Sequence, residues 1–238
     1  MNEYTLLAAL IVLVGSFVQS ATGFGLAIVT APLLLLLSAD YIPAPITVVA
    51  LVLSIINVLY YRHSLELRGL MYALIGRIPG SICGGFLLLW LSPSTLSLFI
   101  GILVLVAVMI SLFPVKIEPT NGRMTVAGFL SGVFGTSSSI GGPPLALLLQ
   151  HQAANSIRAN LSAFFVVSSI ISLIVQWQVE RFTWHHFYLS LPLLPAAVIG
   201  FWLSIKVAHK INKPALRFMS LSLCTISGSY AIFRYAFM

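Results

Sequence analysis

Apolar positions dominate this chain in runs too long for soluble helices, and polar ones interrupt them only at intervals. Stretches free of Lys, Arg, Asp and Glu cover 4–39, 41–61, 78–115, 124–157, 159–179 and 182–205. A membrane-spanning helix needs about 20 such residues, so nearly the whole chain is expected within or against lipid. The pattern predicts spans near 42–60, 69–91, 94–113, 157–178, 184–206 and 214–236.

Two stretches, 4–38 and 124–152, do not fit a single crossing. A straight helix of about 35 residues would run about 52 Å, against about 30 Å of hydrocarbon. Each carries helix breakers near its midpoint: "SATGFG" beside Ala21, and "GTSSSIGGPP" (135–144) around Ser138. Both are expected to turn inside the membrane as broken hairpins. Unpaired backbone is costly in hydrocarbon, so such tips persist only against protein or a water-lined cavity.

The chain also repeats itself. "GSFVQSATGFGLAIVTAPLLLLL" (15–37) and "GVFGTSSSIGGPPLALLL" (132–149) share one order: apolar run, small polar residues, glycines, proline, leucines. Pro79 stands five residues before Gly84, and Pro195 five before Gly200. The segment "PVKIEPTNGR" (114–123) divides the halves with two prolines and an Asn-Gly turn. The expected fold is an all-α integral membrane protein, one transmembrane domain over 1–238. Its first repeat is 1–113, its inter-repeat loop 114–123 and its second repeat 124–238. Each repeat is a broken Gly-rich hairpin plus three transmembrane helices, an arrangement typical of secondary transporters.

Basic residues set the orientation. Arg62 with Arg68, Lys116 with Arg123, and Lys206, Lys210, Lys213 and Arg217 are expected on the cytoplasmic side, opposite Asp40. Parity then inverts the repeats and puts both termini outside the cytoplasm, in a multi-pass protein of the cell (inner) membrane. The N-terminus lacks the basic region of a signal peptide and reads as the first membrane segment.

Composition sharpens the class. The chain is 59% hydrophobic and 7% charged, with a mean hydropathy of +1.05. That leaves no room for a soluble catalytic domain or a nucleic-acid surface, and the net charge of +7 serves orientation. Cys83 and Cys224 fall in apolar stretches, where a thiol acts as a small hydrophobe. His63, His151, His185, His186 and His209 lie near span ends without metal-ligand spacing. No phosphate-binding Gly-Lys-Ser/Thr loop appears, and no cofactor is implied.

The tips carry the candidate chemistry. Gly135, Gly141 and Gly142 permit close approach of backbone to a ligand, and Pro143 and Pro144 suit the first turn of the next helix. A helix N-terminus with free N–H groups favours anions, and Thr136, Ser137, Ser138 and Ser139 add hydroxyls. The matching tip offers Ser20, Thr22, Gly23 and Gly25. Small residues also serve helix packing, which is the competing explanation for both clusters. Arg77 lies deep in a span, where an ionisable group is a functional candidate by default; snorkelling to the interface is the alternative. Arg158 either meets substrate or a gate, or anchors the interface. Gln19 and Asn57 line the path or bond between helices.

Two other classes stay open: an intramembrane enzyme with a nucleophile among Ser137, Ser138 and Ser139, and a membrane scaffold. The first needs a general base, yet Glu3, Asp40, Glu66, Glu118 and Glu180 map to termini or loops. For the same reason no proton relay is expected, and an anion would move down its electrochemical gradient.

"LSGVFGTSSSIGGPPLALLLQ" (130–150), "ATGFG" with its following "AP" (21–32) and "GRIPGSICG" (76–84) resemble segments of the sulfite exporter TauE/SafE family, also called the 4-toluene sulfonate uptake permease family. The resemblance runs over essentially the whole chain. It implies transport of small sulfur-containing anions such as sulfite, sulfonates or thiosulfate across a lipid bilayer, and is compatible with a homo-oligomer. The chain departs from the pattern at "SSSIGG", where the family often carries more glycines.

Overall fold

The computed structural model describes residues 3–67, 69–112 and 117–207, together with 222, 225, 226, 228–230, 232 and 233. Its elements are α1 (Glu3–Thr22), α2 (Leu26–Leu37), α3 (Ala44–Tyr61), α4 (Leu70–Trp90), α5 (Pro93–Leu112), α6 (Asn121–Ser138), α7 (Gly142–Leu149), α8 (Ala154–Gln178), α9 (Trp184–Ser190) and α10 (Leu194–Val207). Short 3-10 turns flank α3 and join α9 to α10, and no strand occurs among the described residues. Five stretches are long and apolar enough to cross a membrane: Glu3–Thr22, Ala39–Ser64, Leu70–Trp90, Ala154–Gln178 and Trp184–Val207. The protein is an all-helical, multi-pass membrane protein. Most of the span expected at 214–236 lies outside the described residues, as do Arg68, Lys116, His209, Lys210, Lys213, Arg217 and Cys224.

Both expected breaks occur. α1 stops at Thr22 and α2 starts at Leu26; α6 stops at Ser138 and α7 starts at Gly142. The first turn needs glycine twice, because Gly23 and Gly25 hold φ of 96° and 120°, where a side chain is strained. The second is made by Ser139 at φ 66°. Gly15 packs on Leu26 and Thr30, so α2 folds back along α1, and the Ser131 hydroxyl donates to the Gly141 carbonyl across the second break at 2.5 Å. With 12 and 8 residues, α2 and α7 reach only about 18 and 12 Å. Neither can cross alone.

In lipid, burying apolar side chains between helices brings little hydrophobic gain, so close backbone packing and polar contacts must hold the bundle. Gly76 and Gly80 of α4 lie on the carbonyls of Thr125 and Phe129 of α6, and Gly128 of α6 lies on the Ala73 carbonyl of α4. A Cβ at any of the three would overlap an oxygen. Gly84 continues this seam, 2.6 Å from the Val133 carbonyl oxygen once a Cβ is added. Gly200 of α10 meets the Leu13 carbonyl oxygen of α1 in the same way, at 2.5 Å. α3 packs along α8, and large apolar side chains such as Trp90, Phe86 and Trp202 stay exposed on the outer faces.

The described connections sort to two ends of the bundle. At one end the Arg181 guanidinium donates to the carbonyls of Leu88 and Leu91 at 3.0 and 3.3 Å, capping α4. The Asp40 turn packs on α9 at that same end. At the other end the Glu66 N–H donates to Asn160 at 2.8 Å, and Ser156 donates to the Glu66 carboxylate at 3.1 Å.

Candidate functional site

A cavity of about 40 Å³ opens where the two broken hairpins meet. Phe24 from the first tip lies 3.2 Å from a Cβ placed on Gly142 of the second. The first hairpin contributes Gln19, Gly25, Ala27 and Ile28 to the lining, and the second Gly135, Ser139, Ile140, Gly141 and Gly142. The wall is completed by Thr47 and Ala50 of α3, Arg77 of α4, and Phe165, Ser168, Ser169 and Ser172 of α8.

Arg77 is the charge of this cavity. The α4–α6 seam brings its backbone against Gly132, and its guanidinium passes over Gly135 and Gly141, where a Cβ would stand 2.6 and 3.0 Å from Nη1. Those two glycines make the channel that the side chain occupies. Nη1 donates to the Ser131 carbonyl and, at 3.0 Å, to the Ser131 hydroxyl. Nη2 donates to Ser172 Oγ at 2.6 Å and to the Ser168 carbonyl at 3.4 Å. All these partners are neutral. Arg77 is 3% exposed, while all five acidic side chains of the chain are exposed. Its Nε is buried without a hydrogen-bond partner, and so is the hydroxyl of Ser168.

The first hairpin adds backbone donors. Gln19 Oε1 accepts the Leu26 N–H at 3.3 Å across the break, and the Val29 N–H returns to the Gly25 carbonyl at 3.1 Å. Ala27 and Ile28 fall between them at N-terminal positions that have no intrahelical acceptor, and both line the cavity. The second hairpin has proline at the two helical positions that match Ala27 and Ile28. Pro143 and Pro144 carry no N–H, and the Ile140 N–H donates to Ser138 Oγ at 3.4 Å. The two tips therefore differ in chemistry despite their matching sequence order.

Of the residues singled out in the sequence, Gln19, Gly25, Arg77, Gly135, Ser139, Gly141 and Gly142 come together in the lining; the following ones hold its frame. Ser20 accepts from Asn57 at 3.2 Å. Thr22 bridges the Val18 and Phe24 carbonyls at 3.0 and 2.6 Å, and Gly23 packs on Ile157 and Leu161. Thr136 shares a 2.9 Å bond with Ser172. Ser137 and Ser138 donate back to the carbonyls of Val133 and Phe134 at 2.6 and 2.7 Å, so neither hydroxyl is aimed as a nucleophile. Arg158 donates twice to the Ala21 carbonyl and lies 5.5 Å from the Tyr61 ring centroid; it caps the end of α1. Sequence reasoning passed over Ser168, Ser169 and Ser172. Their signal was present as hydroxyls spaced to share one face of an apolar helix.

A family model described as sulfite exporter TauE/SafE matches residues 7–231. A protein of Cupriavidus necator named "Probable sulfite/organosulfonate exporter TauE" is 29% identical, across 69% of this chain and 69% of its own length. No solved structure matches. The chain, with its two broken hairpins and its arginine-bearing cavity, belongs to the sulfite exporter TauE/SafE family.

Proposed function

We propose that the protein exports small sulfur oxyanions, sulfite or organosulfonates, through the cavity between the hairpin tips. The observation that carries this reading is Arg77, a buried cation with neutral partners only. A charge left uncompensated in a low-dielectric interior is costly, and an anion entering the cavity supplies the missing countercharge. The Ala27 and Ile28 N–H groups and the α8 serines would surround its oxygens. The Cupriavidus relative's name assigns that protein sulfite and organosulfonate export, which fits a cavity of this charge. The intramembrane-enzyme alternative has less support, since Ser137 and Ser138 are spent on helix carbonyls.

In this reading the end of the bundle carrying Arg62 and Arg123 faces the cytoplasm of a cell (inner) membrane, and the two halves are inverted copies. The exchanged pairings of α4 with α6 and α10 with α1 support the duplication. Export is the favoured direction, because a negative-inside potential contributes about 2.3 kcal/mol per charge per 100 mV to expelling an anion. Purified protein in liposomes tests the proposal: flux of sulfite or a sulfonate is expected, with loss of flux in Gly141→Leu. Turnover of a substrate without flux would favour an enzyme, and neither would favour a scaffold.

A further inference from the structure

Only one ionisable side chain lines the cavity among the described residues, and it is Arg77; the remaining lining is amide, hydroxyl, glycine and apolar. We infer that the cavity takes a monoanion and discriminates against a dianion of the same shape. The inference rests on the transport reading above and narrows its substrate class. A monoanion and Arg77 form a neutral pair. A dianion leaves one net charge in the interior, and hydroxyl and amide dipoles compensate a buried charge far less completely than an opposite charge does.

The unpaired groups fit the same cargo. Arg77 Nε can only donate, and so can the Ala27 and Ile28 N–H groups, whereas a hydroxyl both donates and accepts. Ser168, buried and unpartnered, can therefore donate to a sulfonate oxygen or accept the acidic proton of hydrogen sulfite. The size agrees as well: a water needs about 10–15 Å³ of cavity, so 40 Å³ suits a three-oxygen head group. For sulfite, the transported species is then the singly protonated ion. Each anion carries a proton on itself, and the protein needs no relay.

The test uses the intact protein in liposomes, with equal pH on both sides and protein-free liposomes to subtract passive leak. Three probes are compared: sulfite at subsaturating total concentration, methanesulfonate as a fixed monoanion, and sulfate as a fixed dianion. Sulfite flux is expected to fall about tenfold for each pH unit above its second ionisation, while methanesulfonate flux stays level. Sulfate flux should be lower than methanesulfonate flux by roughly 100-fold or more. Sulfite flux that holds or rises with pH, a parallel fall for methanesulfonate, or sulfate moving as fast as methanesulfonate would each overturn the inference. Absence of flux for all three probes sinks the transport reading first, and the inference with it.

Discussion

Arg77 Nη2 donates to Ser172 Oγ at 2.6 Å, joining α4 to α8 across the cavity. Ser172 in turn meets Thr136 of α6 at 2.9 Å, and Gln176 donates to the Thr136 carbonyl at 2.8 Å. One buried cation of α4 is thus steered by two other helices, α6 and α8, neither of which offers it a negative charge. The guanidinium is held in place by dipoles, and none of its hydrogen-bond partners carries an opposite charge.

Replacing Arg77 with Gln removes the charge while keeping hydrogen-bonding capacity. Losing a buried countercharge of this kind costs about 2–5 kcal/mol of binding, so flux at low substrate should fall roughly 30-fold or more. Lys keeps the charge but loses the fork that reaches both Ser131 and Ser172, and an intermediate rate is expected. Liposome flux with matched protein levels checks both, and unchanged flux in Arg77→Gln would remove Arg77 from the site.

Gly135→Ala should act through Arg77. The added Cβ would stand 2.6 Å from Nη1, which forces the guanidinium to move, and overpacking of this kind typically costs about 1–3 kcal/mol. A raised half-saturation concentration is expected with normal membrane insertion. Gly122→Ala is the control, since nothing lies within 4 Å of its added Cβ, and its flux should match the parent.

Arg158→Ala removes two hydrogen bonds to the Ala21 carbonyl. Charged hydrogen bonds are worth about 1.5–3 kcal/mol, and the group left bare is the end of α1 beside the first tip. Thermal stability in detergent should drop and the 23–25 turn should exchange amide protons faster. Flux should decline less than in Arg77→Gln, because Arg158 supports the tip without lining the cavity. Equal losses would assign Arg158 a direct role.

Orientation is checked by single cysteines at Glu66 and Glu180, both exposed and at opposite ends of the bundle. In intact cells, an impermeant thiol reagent should label position 180 and spare position 66. The reverse pattern would turn the protein over and put the Arg62 and Arg123 end outside, against the positive-inside assignment.

The positions of the two breaks were legible in sequence because glycine and proline punctuate backbone locally, whatever surrounds them. Arg77 was legible for a similar reason, since a charge in a long apolar run has few structural excuses. What the hydroxyls do was not legible. Ser137, Ser138 and Ser139 are neighbours of one type, yet the first two bond back into α6 while Ser139, past the helix end, donates to the Pro43 carbonyl and meets Thr47. Only the last helical residue decides between those fates, and helix ends are uncertain from sequence by one or two residues. Gln19 looked like an interhelical bond donor, and it does lie 3.5 Å from Ser54. Its other end closes the start of α2, a pairing set by the fold of the turn.

The backbone contact of α4 with α6 at Gly76, Gly80, Gly128 and Gly132 leaves no layer of side chains between the two helices. Side chains are what packed helices slide on, by changing rotamers while their backbones shift. Without that bearing surface, α4 and α6 move as one rigid strut carrying Arg77 and the second tip together. In the proposed transport, opening the cavity to either side of the membrane would fall to joints held by side chains, such as Thr47 against Ser139 at 3.0 Å and Asn57 against Ser20 at 3.2 Å. These hydroxyl and amide latches sit at opposite ends of α3, and each can part without disturbing the strut.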